Sequence, residues 1–177
     1  MVSNCEITAH DVSYVNGIQL DLFVYPKTFF DKIIDFSDFV QLFEGVIVLD
    51  IDGSGKTLMD RVSEFIKRIP EKSEQEVSSQ IDWCEKMLLR ASRGNEEGFF
   101  RWHWLLVDSL EIFCDILRQK YHGPKKALQW MKSNHEDAFV LYSKAIQRMD
   151  YGSLQSWISF LRLLGEQQEK CWKAKND

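Results

Sequence analysis

Several things are scarce in this chain of 177 residues, and each scarcity excludes something. There are only four cysteines, Cys5, Cys84, Cys114 and Cys171, widely spaced and without a CxxC pair. Neither a zinc site nor a disulfide framework follows from that spacing, so the thiols read as reduced and buried. Positive charge is in the minority, with 22 Lys and Arg against 27 Asp and Glu and a net charge of −5. The overall field therefore does not steer the chain towards nucleic acid. No apolar run approaches the length of a membrane span. The first residues, "MVSNCEITAHDVSYV", lack the basic stretch and apolar core of a signal peptide. The expectation is a soluble, cytoplasmic protein with no membrane or nucleic-acid partner. Internal repeats and low-complexity segments are absent too.

What is present is material for a core. Hydrophobic residues make up 45% of the chain and aromatic ones 13%, including six Trp and twelve Phe, which excludes wholesale disorder. Two regimes of composition predict two domains, a mixed α/β part over residues 1–57 and a helical bundle over 58–177. In the first, "CEITAHDVSYV" and "IQLDLFVY" flank Asn16-Gly17, the strongest short signal for a two-residue hairpin turn. Along the second strand Ile18, Leu20, Leu22 and Val24 alternate with Gln19, Asp21, Phe23 and Tyr25, which puts Asp21 on the face opposite the aliphatic set. Short helices are expected through "KTFFDKIID" and "SDFVQLF", and a further strand at "VIVLD". Beyond Lys56 the period is helical. Ser73 and Glu76 form a capping-box pattern opening a helix to about Arg93. Gly94-Asn95 breaks it, and the next helix is expected to run to about Tyr121 with Phe99, His103, Leu106, Leu110, Phe113 and Leu117 on its apolar face. Gly123-Pro124 starts another, and two more follow. The predicted fold class is α+β, mainly α: a hairpin plus one further strand, then a bundle of five or six amphipathic helices.

The stretch "VIVLDIDGSGKTLMDRV", residues 46–62, invites three readings. A phosphate-binding loop of the form GxxxxGK[ST] ends correctly at Gly55-Lys56-Thr57, but its first glycine falls on Asp50, whose carboxylate would face the phosphates. The D-x-D-G pattern of haloacid-dehalogenase-type phosphatases would make Asp50 a nucleophile and Asp52 an acid/base, yet the later strands that chemistry needs are replaced by helix. The third reading takes in nearly the whole chain. Residues 15–62 resemble the later part of the nucleotidyltransferase domain of the DNA-polymerase-β-like superfamily, the group that includes aminoglycoside and lincosamide nucleotidyltransferases. Gly17 to Leu22 is similar to the strand that carries that family's third metal carboxylate, here Asp21. Val48 to Gly53 is similar to a later "hhhDxDG" turn whose role is structural. "RGNEEGFFRWHWLLVDSLEIFCDIL" followed by "KYHGPKKALQWM" resembles the substrate-side helical bundle of the same enzymes.

The resemblance implies transfer of a nucleotidyl group from an NTP to a hydroxyl of a small molecule, with Mg2+ ions held by three carboxylates. The Gly-Ser turn and D-x-D strand that supply the other two carboxylates are not in this stretch. These residues are therefore expected to be inactive alone, and Mg2+ is expected only if that missing N-terminal part is supplied. Other candidates follow on the long helix. Glu97, Arg101, Asp108, Glu111, Asp115 and Arg118 recur at helical spacings, either as a solvated face of i,i+4 pairs or as an acidic wall for a cationic, hydroxylated substrate. In the second case Asp108 or Glu111 is the candidate general base, and Glu97 and Arg101 are substrate-binding candidates. Lys125 and Lys126 read either as exposed surface lysines or as groups that reach a triphosphate. His103 is expected in the core, and Trp102, Trp104 and Trp130 in core or interface. Arg118 and His122 miss the spacing of HEPN-type ribonucleases. The alternative reading is a non-catalytic binding or oligomerisation module, an incomplete sheet edge paired across a homodimer axis.

Overall fold

The computed structural model describes residues 2–3, 7–32 and 35–176. It is mainly helical, with a small sheet in the first part of the chain and a helical bundle in the second. Cys5 and part of the predicted "KTFFDKIID" helix lie outside the described residues. The chain divides into two compact units, Met1–Pro70 and Glu71–Asp177. The division falls after Pro70 rather than at residue 57, because the first long helix buries its apolar stripe against aromatic residues of the first unit.

The hairpin forms at Asn16-Gly17. Strands β3 (Tyr14–Val15) and β4 (Ile18–Gln19) pair antiparallel, and both turn residues take positive φ, 52° and 78°, as a type I′ turn requires. Leu20 N donates to Ser13 O at 2.8 Å beyond them. The two arms pair again as β2 (Ala9–Asp11) and β5 (Leu22–Pro26). The third strand is β1 (Val2–Ser3), parallel to β5. The expected strand at residues 46–50 does not form. β5 is already bonded on both edges, by β1 and β2, so its ladder offers no vacancy. Val46, Val48, Leu49 and Ile51 stay 79–93% exposed.

Residues 27–42 supply two short 3-10 turns, Lys27–Phe29 and Ser37–Leu42. Their Phe30, Phe36 and Phe39, clustered edge-to-face, pack with Leu58, Val62 and Ile66 of helix α1 (Ser54–Arg68). Those three α1 positions recur every four residues, one stripe of the helix.

The second unit holds five helices among the described residues: α2 (Glu74–Ala91), α3 (Glu96–Ile116), α4 (Pro124–Asn134), α5 (Glu136–Arg148) and α6 (Tyr151–Asn176). The capping box at Ser73 and Glu76 forms as the sequence predicts. Asn95 caps α3 by accepting from Gly98 N at 2.9 Å. α3 stops at Ile116 rather than near Tyr121, with Arg118 left-handed just beyond it. α2 packs on α3 and α6, and α5 on α4 and α6. The core centres on Trp157, Phe113, Leu105, Ile116 and Met131. Its one buried polar residue among those described, Ser109, accepts from Trp157 Nε1 at 2.9 Å and donates to Leu106 O. Tyr142 Oη donates to the same carbonyl at 2.7 Å.

The apolar face of α3 differs from the expected one. Leu106, Leu110 and Phe113 are buried as expected, but Phe99 and His103 are exposed, and Trp102 and Leu105 are buried in their place. The large indole of Trp102 takes the inward position, because it gains more from leaving water than an imidazole does. Of the other two tryptophans expected in core or interface, Trp130 is half-buried against Phe113 and His135, whereas Trp104 is 42% exposed.

Candidate functional site

Along α2, Ser79, Gln80 and Trp83 occupy one side of the helix. Along α3, Asp108, Glu111 and Ile112 do the same, at three- and four-residue spacing. The packing of α2 on α3 brings the two sets together around a cleft of about 500 Å³, within the size range of small-molecule sites. A neighbouring hollow of about 440 Å³, lined by Lys72, Ser73, Gln75 and Glu76, shares Ser79 and Gln80 with it. The two candidate general bases from the sequence thus line a single cavity.

The two carboxylates differ in surroundings. Burial pushes the Asp108 carboxyl up from its ordinary value, opposed by a hydrogen bond with the Trp104 side chain. Asp108 has no cationic partner among the described residues. Glu111 lies 3.6 Å from Lys72 Nζ, which also donates to Asp115 Oδ2 at 2.7 Å. Burial pulls the Lys72 ammonium down, but its bond to Asp115 and the charges of Asp115 and Glu111 outweigh this and raise it. Gln80 Nε2 donates to Asp115 at 3.3 Å, and its buried Oε1 has no partner among the described residues. Arg118 donates to the Lys72 carbonyl, and its guanidinium lies 4.2 Å above the Trp172 ring. On the aromatic side, Trp83 meets Trp104 edge-on at 5.9 Å, and Trp104 meets Phe100 at 6.1 Å.

The other sequence candidates lie apart from this cleft. Glu97 pairs with Arg93 at 3.2 Å and with Arg101 at 3.6 Å, both i,i+4, and Arg101 also lies over Trp104. They form a surface network at the start of α3 and do not line the cleft. Lys125 and Lys126 occupy the first turn of α4, outside both hollows.

Asp21 belongs to the first unit, in the break between β4 and β5. Its Oδ1 lies 2.8 Å from His10 Nε2, and that imidazole stacks on Phe23 at 4.1 Å. Among the described residues, no three His, Cys, Asp or Glu side chains gather as a metal site would need. One carboxylate beside one imidazole does not fit a pair of magnesium ions, which favour clustered oxygen ligands, so no step through Mg2+ follows from these residues.

Asp50 and Asp52 resolve the opening of α1. Asp50 accepts from Gly55 N at 3.0 Å and Lys56 N at 2.9 Å, and Asp52 accepts from Ser54 N at 3.1 Å. The free amides of the first helical turn, where a phosphate would bind, are filled by the chain's own carboxylates. Gly55 makes room, since a Cβ there would sit 3.2–3.4 Å from the Asp50 carboxyl. Lys27 Nζ, 2.5 Å from Asp52 Oδ2, holds that carboxyl below its usual range, helped by Ser54. The Gly-Ser-Gly-Lys-Thr turn is a capped helix start, neither a phosphate loop nor a nucleophile.

Reasoning from sequence missed Trp83, Gln80, Ser79 and Lys72. Their signal was a polar and aromatic stripe on α2, which acquires meaning only once α3 is placed against it. No family model, curated protein or solved structure matches the chain.

Proposed function

We propose that the helical unit binds a cationic, hydroxylated small molecule in the α2–α3 cleft, as the acceptor side of a nucleotidyltransferase-type protein. The observation that carries this reading is that Asp108 and Glu111 share one cavity with an indole and two polar side chains. A carboxylate there does two things for such a ligand: it offsets the charge of an ammonium, and it accepts the proton of an attacking hydroxyl. The nucleotide side of the reaction needs metal-binding groups beyond Asp21. The free thiols of Cys84, Cys114 and Cys171 suit the cytoplasm, where nucleoside triphosphates are abundant.

Pyrophosphate release from ATP and Mg2+ in the presence of amino-alcohol acceptors tests the reading on the protein purified from its own cells. Transfer abolished by Asp21→Asn, and strongly slowed by Asp108→Asn, supports it. Cation binding without any magnesium-dependent binding of ATP would instead favour a non-catalytic binding module. The exposed Val46, Val48, Leu49 and Ile51 favour that second reading in its oligomerising form. A homodimer in sedimentation that Val48→Asp dissociates would support it.

A further inference from the structure

We propose that residues 46–51 add a strand to the open sheet edge of another protein, one whose edge strand is flanked by Lys or Arg. This concerns the first unit and is independent of the cleft. It gives the exposed run an occupant other than a second copy. The run reads Val-Ile-Val-Leu-Asp-Ile, β-branched or aliphatic at five of six positions, which suits an extended chain. Among the described residues no backbone hydrogen bond involves residues 46–51. Their N–H and C=O groups are therefore free to pair, as on a sheet edge. The first unit's own sheet does not take them up: β5 is bonded on both edges, and β1 and β2 beside it are two and three residues long.

Two observations favour a different protein over a second copy. The first is exposure. Alternate residues of an extended chain face opposite ways; Val46 and Val48 are 88% and 93% exposed, and so are Leu49 and Ile51 of the other set, at 79% and 88%. A run apolar on both sides matches a strand covered on both faces. Two copies paired through this run would make a two-stranded ribbon with both faces in water, which is marginal at best. An edge strand in a sheet with layers on both faces covers them. The second observation is charge. Residues 1–70 hold 11 Asp and Glu against 6 Lys and Arg, and residues 71–177 hold 16 of each. The whole net charge of −5 belongs to the first unit. Two such units repel, whereas an edge flanked by Lys or Arg is attracted.

The test is an NMR-detected titration of the full chain with two capped peptides, KKVIVVKK and EEVIVVEE. The lysine-flanked peptide should bind roughly tenfold tighter or more, and added salt should shrink that advantage. Hydrogen exchange at the amides of Ile47, Val48 and Leu49 should slow in the complex, the mark of strand addition. Val48→Pro removes one amide at a side chain the fold leaves in water, and should weaken binding roughly tenfold or more. Val48→Thr keeps the amide and the preference for extended chain and should change binding less than about threefold. An unchanged thermal midpoint confirms that each variant folds. Equal binding of the two peptides would overturn the basic partner, and binding insensitive to Val48→Pro would overturn strand addition. Binding of neither peptide would overturn the whole proposal. A homodimer of the chain alone in sedimentation, dissociated by Val48→Pro, would overturn the choice of a different protein and favour the oligomerising reading. None of these outcomes bears on the cleft, whose own test is Asp108→Asn.

Discussion

At Asp50, one carboxylate takes two amides of the α1 start, and Asp52 takes a third. Asp50→Ala should therefore cost about 1 kcal/mol of stability, the usual worth of a helix N-cap, seen as a lower urea midpoint. In a nucleotide-binding loop the same change would instead raise ATP affinity, by removing a carboxylate that faces the phosphates. Asp108 presents the opposite balance. Its folded-state pKa is raised by burial, so its ionised form weakens the fold at neutral pH, and that cost disappears as pH falls to the ordinary carboxylate range. Asp108→Asn should raise the thermal midpoint at neutral pH, and the gain should shrink on acidification. A gain independent of pH would contradict this origin. At this scale the sequence was partly legible. Asp108 and Glu111 stand three residues apart, so their shared face could be read from helical period alone. That Lys72 would reach Glu111 and Asp115 but not Asp108 depends on contacts 39 and 43 positions apart in sequence, and no local pattern specifies it.

Among the elements, the hairpin and the caps were legible because their causes are local: Asn16-Gly17 sets a turn and Ser73 with Glu76 sets a helix start. The capping box should report its own pH dependence. Hydrogen bonds from Ser73 hold Glu76 below its ordinary pKa, so its contribution is full at neutral pH and is lost as pH falls through the depressed value. The stability difference between the unaltered protein and Glu76→Gln should follow that course in acid. The segment at 46–50 was misread because apolar composition predicts a strand without saying whether a partner edge is free. α3 was misread for a related reason: both possible faces carry aromatic residues, and the packing of α2, α4 and α6 chose the one with Trp102. That packing has two specific supports. Ser109→Ala should cost about 1–3 kcal/mol, since it strands the buried Trp157 N–H. Gly165 lets α6 approach α2, where a Cβ would come within 2.4 Å of the Ile81 Cδ1. Gly165→Val should lower the thermal midpoint, and Ile81→Ala should partly restore it.

For the whole molecule, the division into two units separates the two sets of candidate residues. Asp21 and the capped α1 belong to the first unit, the acidic and aromatic cleft to the second. Arg162 of α6 ties α2 in place, donating to both oxygens of Glu85 at 2.9 and 2.6 Å and to Asp82. The cleft is thus a property of a braced helix pair. The most direct measurement of the central claim is a map of chemical-shift changes over the full chain during titration with 1-methyl-4-piperidinemethanol. The expected result is a compact set of changes at Ser79, Gln80, Trp83, Asp108, Glu111 and Ile112. Changes confined to the exposed face of Phe99, Phe100 and Val107, or spread evenly over the acidic surface, would contradict the assignment of the cleft as the binding site.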